Sequence, residues 1–165
     1  MAEMSFIELL QKLQSQVESL IGLCDASGLE EKNDVSQWSA LSHLEHLSVT
    51  GKSTPLLIET AFDSDTAACM NDDGKRLFSL GYFPRGETQS PDFAIPKGIK
   101  INKIRNNFSR LQKQLAAFES REQDFLVCQK GAEHPFLGYL KPRDWLHFLF
   151  LHQTHHLGIL KEILG

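Results

Sequence analysis

Cysteine is scarce in this chain, and what there is does not pair. Cys24, Cys69 and Cys128 stand far apart, form no CxxC and are odd in number, which excludes a disulfide framework and fits the reduced thiols of a cytosolic protein. Each is expected to be a small packing residue, because free cysteine behaves as a buried hydrophobe and no activating partner stands nearby. Long apolar runs are missing too: none approaches the ~20 residues of a membrane helix. Met1 to Ser5 carries no basic stretch ahead of apolar residues, so export is not signalled and a cytoplasmic location is expected. Basic clusters are absent, and a net charge of -4 with scattered lysines and arginines excludes a nucleic-acid binder. There is no G-x-S-x-G elbow, Walker loop, G-x-G-x-x-G or H-E-x-x-H, which removes serine hydrolases, P-loop enzymes, Rossmann dehydrogenases and zincins from consideration. No internal repeat or low-complexity tract is present.

What remains is a chain of 165 residues, enough for one domain spanning 1–165 with a core of its own. Ser5-Phe6-Ile7-Glu8 has the pattern of a capping box and starts helix 1. Phe6, Leu9, Leu10, Leu13, Val17, Leu20 and Ile21 then recur at spacings of three and four, one apolar stripe reaching to about residue 22. After a polar loop from Gly28 to Gln37, Trp38-Ser39 opens helix 2, with Leu41, Leu44, Leu47 and Val49. Pro55 predicts a kink or restart near Ser53 before the helix continues toward Phe62. The stretch from Asp63 to Pro96 has no sustained period and predicts a long crossover carrying short elements or a lid. Such a crossover permits helices 2 and 3 to run parallel. From Lys97, Ile101, Ile104, Phe108, Leu111, Leu115 and Phe118 define helix 3. A second connection from Glu119 to Lys141 precedes Pro142, which suits the first turn of helix 4.

On helix 4 the core positions are Trp145, Leu149, His152, His156, Ile159 and Ile163, so two histidines sit in the apolar seam. Residues four apart share a helix face with β-carbons about 5–6 Å apart, within reach of one metal ion. Helix 2 adds His43 and His46, either of which can bring a third imidazole across the core. Unpartnered buried imidazoles cost on the order of 1–3 kcal/mol each, whereas a divalent cation engages their lone pairs. His134, before a proline, is expected in a turn, His147 faces outward, and His155 can point near the site, either as a ligand or in a supporting or packing role. Glu45 is the only carboxylate of the helix 2 motif, and the absence of Glu-x-x-His pairs argues against a dinuclear centre.

Trp38-Ser39 followed by His46-Leu47, then His134-Pro135-Phe136-Leu137-Gly138, Trp145 and His152-x-x-His155-His156, together resemble the DinB/YfiT-like superfamily of metalloenzymes in order and spacing. The resemblance selects His46 over His43 and makes His46, His152 and His156 the metal ligands. It implies an all-α fold, a four-helix bundle with up-down-down-up connectivity and a long crossover between helices 2 and 3. It also implies a homodimer and a divalent ion, nickel or zinc. One position departs from the pattern: Ile159 stands where relatives often carry glutamine. Three neutral imidazoles on a divalent ion leave a coordination position open, and the ion then lowers the pKa of bound water or thiol. The expected function is therefore that of a metal-dependent thiol S-transferase, using a low-molecular-weight thiol, or a hydrolase acting on a small-molecule substrate. The alternative is a non-catalytic dimeric bundle that binds a small ligand or a stress partner without functional metal.

Overall fold

Ser5 caps the first helix as its position promises, accepting the Glu8 N–H on its hydroxyl at 3.1 Å. The glutamate turns instead to Lys12, one turn on. The computed structural model describes residues 3–87 and 89–165. In chain order its elements are α1 (Phe6–Leu23), α2 (Ala40–Asp63), β1 (Cys69–Met70), α3 (Asp72–Leu80), α4 (Ile101–Phe118), α5 (Glu122–Val127), β2 (Ala132–His134), β3 (Gly138–Leu140) and α6 (Pro142–Leu164). Single 3-10 turns lie at Asp92–Ala94 and Glu119–Arg121. The chain is mostly helical, and no described helix is long and apolar enough to cross a membrane.

The core is where four amphipathic stripes meet. α2 packs against both α4 and α6, and so does α1. Phe6, Leu10, Leu13, Val17 and Leu20 of α1 are buried with Leu44, Leu47 and Ile58 of α2, Ile104, Phe108, Leu111 and Leu115 of α4, and Leu146 and Leu149 of α6. Each such side chain contributes about 1.5–3 kcal/mol on leaving water. The cross-contacts advance in a fixed order. Glu45 meets Lys97 and Gly98, Ser48 meets Asn107, and Gly51 faces Leu111. Conversely, His43 meets His156 and His46 meets His152.

Two expectations need correction. Of the kink or restart expected near Ser53, the restart does not occur: α2 runs unbroken from Ala40 to Asp63 with Pro55 inside it. A mid-helix proline costs about 3 kcal/mol. Burial of Gly51 and Thr54 before it and Ile58 and Ala61 after it holds both halves against the core. The hydroxyls of Thr50, Ser53 and Thr54 also bond back to the carbonyls of His46, Val49 and Thr50. The second correction is that the fold is not purely helical. A three-stranded sheet in the order β1-β3-β2 ties the two long connections together, with Cys69 opposite Tyr139 and Glu133 opposite Tyr139 on the other side. Strands of two and three residues are too short to show alternation. Of the cysteines only Cys24 is buried; Cys69 is exposed and Cys128 half-buried, since both lie in or beside the connections rather than on a core helix.

Glycine makes this junction possible. Gly138 adopts φ +85°, and a β-carbon there would lie 2.6 Å from the Cys69 carbonyl oxygen. At Gly74 a β-carbon would lie 2.6 Å from the Leu137 carbonyl oxygen, so α3 sits directly on the hairpin. Gly74→Ala is expected to destabilise the protein by about 1–3 kcal/mol, because a backbone atom cannot swing aside. Gly158→Ala, where a β-carbon on α6 meets nothing within 4 Å, should instead stabilise it by roughly 0.5–1 kcal/mol. Denaturant unfolding of the two variants checks both signs.

Candidate metal centre

The polar positions that interrupt two apolar stripes converge in one place. Ser39 caps α2 by accepting the Ser42 N–H, which places His43 and His46 one turn apart near the start of the helix. Across the core, α6 carries His152 and His156. All four are buried, none more than 8% exposed. The rings of His46, His152 and His156 form a nearly equilateral triangle, with centroids 4.8, 4.7 and 4.8 Å apart. One nitrogen from each lies within 4.8 Å of the others, an arrangement that can hold a metal ion.

Hydrogen bonds decide which lone pairs face the centre. His46 Nδ1 donates to the Ala94 carbonyl at 2.8 Å, so its Nε2 is a lone pair, 2.9 Å from His152 Nε2. Two nitrogens on one tetrahedral ion stand about 3.3 Å apart at metal–nitrogen distances of about 2.0–2.1 Å, so this pair would have to open by a few tenths of an ångström to share one. His152 Nδ1 is buried with no partner. In a metal-free triangle His152 Nε2 must donate to His46, which leaves that Nδ1 as an orphaned lone pair costing about 1–3 kcal/mol.

His43, which spacing left as a rival to His46, stands behind the triangle. Its Nδ1 meets His156 Nδ1 at 2.8 Å and its Nε2 meets Ser36 Oγ at 2.8 Å, so both nitrogens are committed. Ser36 Oγ also accepts the Trp38 N–H at 3.1 Å. When the protons run from His156 to His43 to Ser36, His156 Nε2 is left as a lone pair facing the triangle. The opposite direction would place a proton there. A buried carbonyl behind one ligand and an imidazole behind another are the outer partners that orient metal-bound histidines.

Aromatic rings enclose the cluster. Trp38 lies 5.1 Å from His46 and stacks on His156, while Phe148 stacks on His152 at 5.6 Å and Phe83 covers it from the crossover. This setting lowers the pKa of His46, His152 and His156, chiefly by burial; neighbouring histidines add to it at His152 and His156, while at His46 the Ala94 bond partly offsets it and His155 adds to it. Burial, reinforced by His46, brings His43 to about 4. The imidazoles are therefore neutral at neutral pH, the form in which they could hold a metal ion.

His155 is half-buried, edge-on to His156 and packed on Phe83, outside the triangle. His134 does more than occupy a turn. It ends β2, accepts the Phe136 N–H on Nδ1 at 3.1 Å and packs against Trp145 and Phe148; burial lowers its pKa to about 4. Its run into Pro135-Phe136 was the available signal, but only the hairpin turns it toward Phe148. His147 does not face outward freely: it is half-buried between Phe78 and Phe150. Glu45 was also missed. Its buried carboxylate accepts the N–H groups of Lys97 and Gly98 at 2.6 and 2.9 Å, pinning the end of the crossover beside the site.

Two outcomes are expected. His43→Phe keeps a ring against Trp38 but removes the acceptor behind His156, and should weaken zinc binding by about 10–100-fold in competition with a chromophoric chelator; unchanged affinity would remove His43 from this role. Second, a folded imidazole held near 4 binds fewer protons than an unfolded one at 6.5. Stability therefore rises with pH across that window and is lost on acidification. Urea titrations of metal-free protein should show a fall below about pH 6.5 of up to about 1.4 kcal/mol per pH unit for each buried imidazole, and a flat profile would contradict it.

No known protein family, curated protein or solved structure matches the chain.

Proposed function

We propose that the chain is a divalent-metal-dependent enzyme of the DinB/YfiT-like kind, with zinc or nickel held by His46, His152 and His156. The observation that carries this reading is the near-equilateral triangle of buried, neutral imidazoles, with an outer hydrogen-bond partner behind two of the three. The proposal includes an up-down-down-up four-helix bundle. The order of cross-contacts supports it: α2 meets α4 in increasing register and α6 in decreasing register. A homodimer belongs to the same proposal.

Three protein ligands, with no fourth among the described residues, suit a catalytic rather than a closed structural site. When bound, the ion supplies Lewis acidity that lowers the pKa of a coordinated water or thiol. The chain's own residues prepare the place. Burial keeps the ligating nitrogens unprotonated, Trp38, Phe83 and Phe148 limit water around them, and the Ala94 carbonyl and His43 hold two rings in orientation. The reaction proposed is thiol S-transfer or hydrolysis on a small molecule that enters through the adjoining cavity.

Protein purified without a histidine tag should bind zinc or nickel at one ion per chain. His152→Ala and His156→Ala should each weaken that binding by more than about 100-fold, beyond what loss of an outer partner does. At a hundredfold excess over Kd the ion should stabilise the fold by about 2.7 kcal/mol, a rise of about 5–10 °C in Tm for a domain of this size. Elemental analysis and thermal melts with and without a chelator read both. No bound metal and an unchanged Tm would favour the non-catalytic ligand-binding alternative.

A further inference from the structure

The cavity opening onto the three histidines is larger than an ion and its water require. It measures about 1120 Å³, at the top of the range of about 300–1,000 Å³ usual for small-molecule sites. Its wall is built from five parts of the chain. α2 contributes Leu57, α3 contributes Leu77 and Leu80, the crossover adds Phe93, and Phe136 and Phe148 come from the hairpin and α6. Several of these stay wet despite their size: Leu80 is 39% exposed, Phe136 49% and Phe93 52%. Large apolar groups left open around one cavity mark a surface that an apolar ligand covers.

Charge narrows the ligand further. Among the described residues of the wall the one cationic side chain is Arg76, and it is paired with Glu87 at 3.0 Å. Asp73 and Asp92 add carboxylates. Neutral hydrogen-bond donors line it instead, among them Trp145 Nε1, buried without a partner, and His134, which accepts the Phe136 N–H on Nδ1 and carries its proton on Nε2. A carboxylate, sulfonate or phosphate placed away from the metal would thus meet two like charges and no available cation.

We infer that the cavity binds a small molecule with an uncharged, apolar body whose single polar head reaches the histidine triangle. This deepens the proposed function and rests on it for the head group alone, since recognition of the body is a property of the wall.

The test uses two fluorescent probes of nearly one shape, N-phenyl-1-naphthylamine and its sulfonated analogue 8-anilinonaphthalene-1-sulfonate. Metal-free protein should bind the neutral probe at least about tenfold more tightly than the sulfonate, the cost of an unpaired charge in an apolar site. Glu87→Gln, an exposed change that frees Arg76 in place, should narrow that ratio at least about threefold and leave the neutral probe's Kd unchanged. In zinc-loaded protein, octanohydroxamate should displace the neutral probe at least about tenfold more effectively than acetohydroxamate, which has the same head without the tail. Equal or tighter binding of the sulfonate, or no uptake of the neutral probe by folded protein, overturns the inference. Zinc uptake by calorimetry without the probe preference defeats the ligand class alone. The probe preference without zinc uptake defeats the metal reading and the head-group half of this one.

Discussion

The packing of α2 on α6 is the contact on which the rest of the molecule depends. Each helix presents an apolar face broken by histidine, and each is stable only when that face is covered. Covering it brings His46 between His152 and His156 at nearly equal ring separations. A shift of one turn, about 5.4 Å, would keep much of the apolar burial and separate the rings. Two polar contacts span the helices at the observed register: His43 against His156 and His46 against His152.

Burial and proton affinity are coupled at this site. The same desolvation that makes four clustered imidazoles expensive keeps them neutral, and neutral lone pairs are what a divalent cation needs. The outer groups divide the work unequally. A carbonyl behind His46 admits a single tautomer, whereas the His43–Ser36 pair behind His156 can carry its protons in either direction and is set by what occupies the centre. His152 lacks a partner on Nδ1 and is held by ring packing from Phe148 and Phe83.

The two long connections are structural parts of the site. β1 and α3 from the first and the hairpin from the second are locked at Gly74 and Gly138, where backbone meets backbone too closely for a side chain. That junction supplies one wall of the cavity and brings His134 near Phe148. Glu45 performs the corresponding task at the far end of the crossover by holding Lys97 and Gly98, which keeps Ala94 within reach of His46.

The sequence by itself determined the four long helices, the Ser5 and Ser39 starts and the helical face shared by His152 and His156. These depend on contacts three or four residues apart, and periodicity reports them directly. Spacing could not choose between His43 and His46, because one turn of α2 offers both, and only the packed partner shows that His43 lies behind His156. Pro55 left a restart of α2 open because the penalty for breaking a helix is local while the burial that offsets it is not. The small sheet, the placement of His134 and the role of Glu45 were invisible for a related reason. Each pairs residues far apart in the chain, through strands too short to carry a pattern or through a carboxylate whose partners are backbone N–H groups of no particular residue type. Tertiary structure decided those, and with them the shape and charge of the cavity.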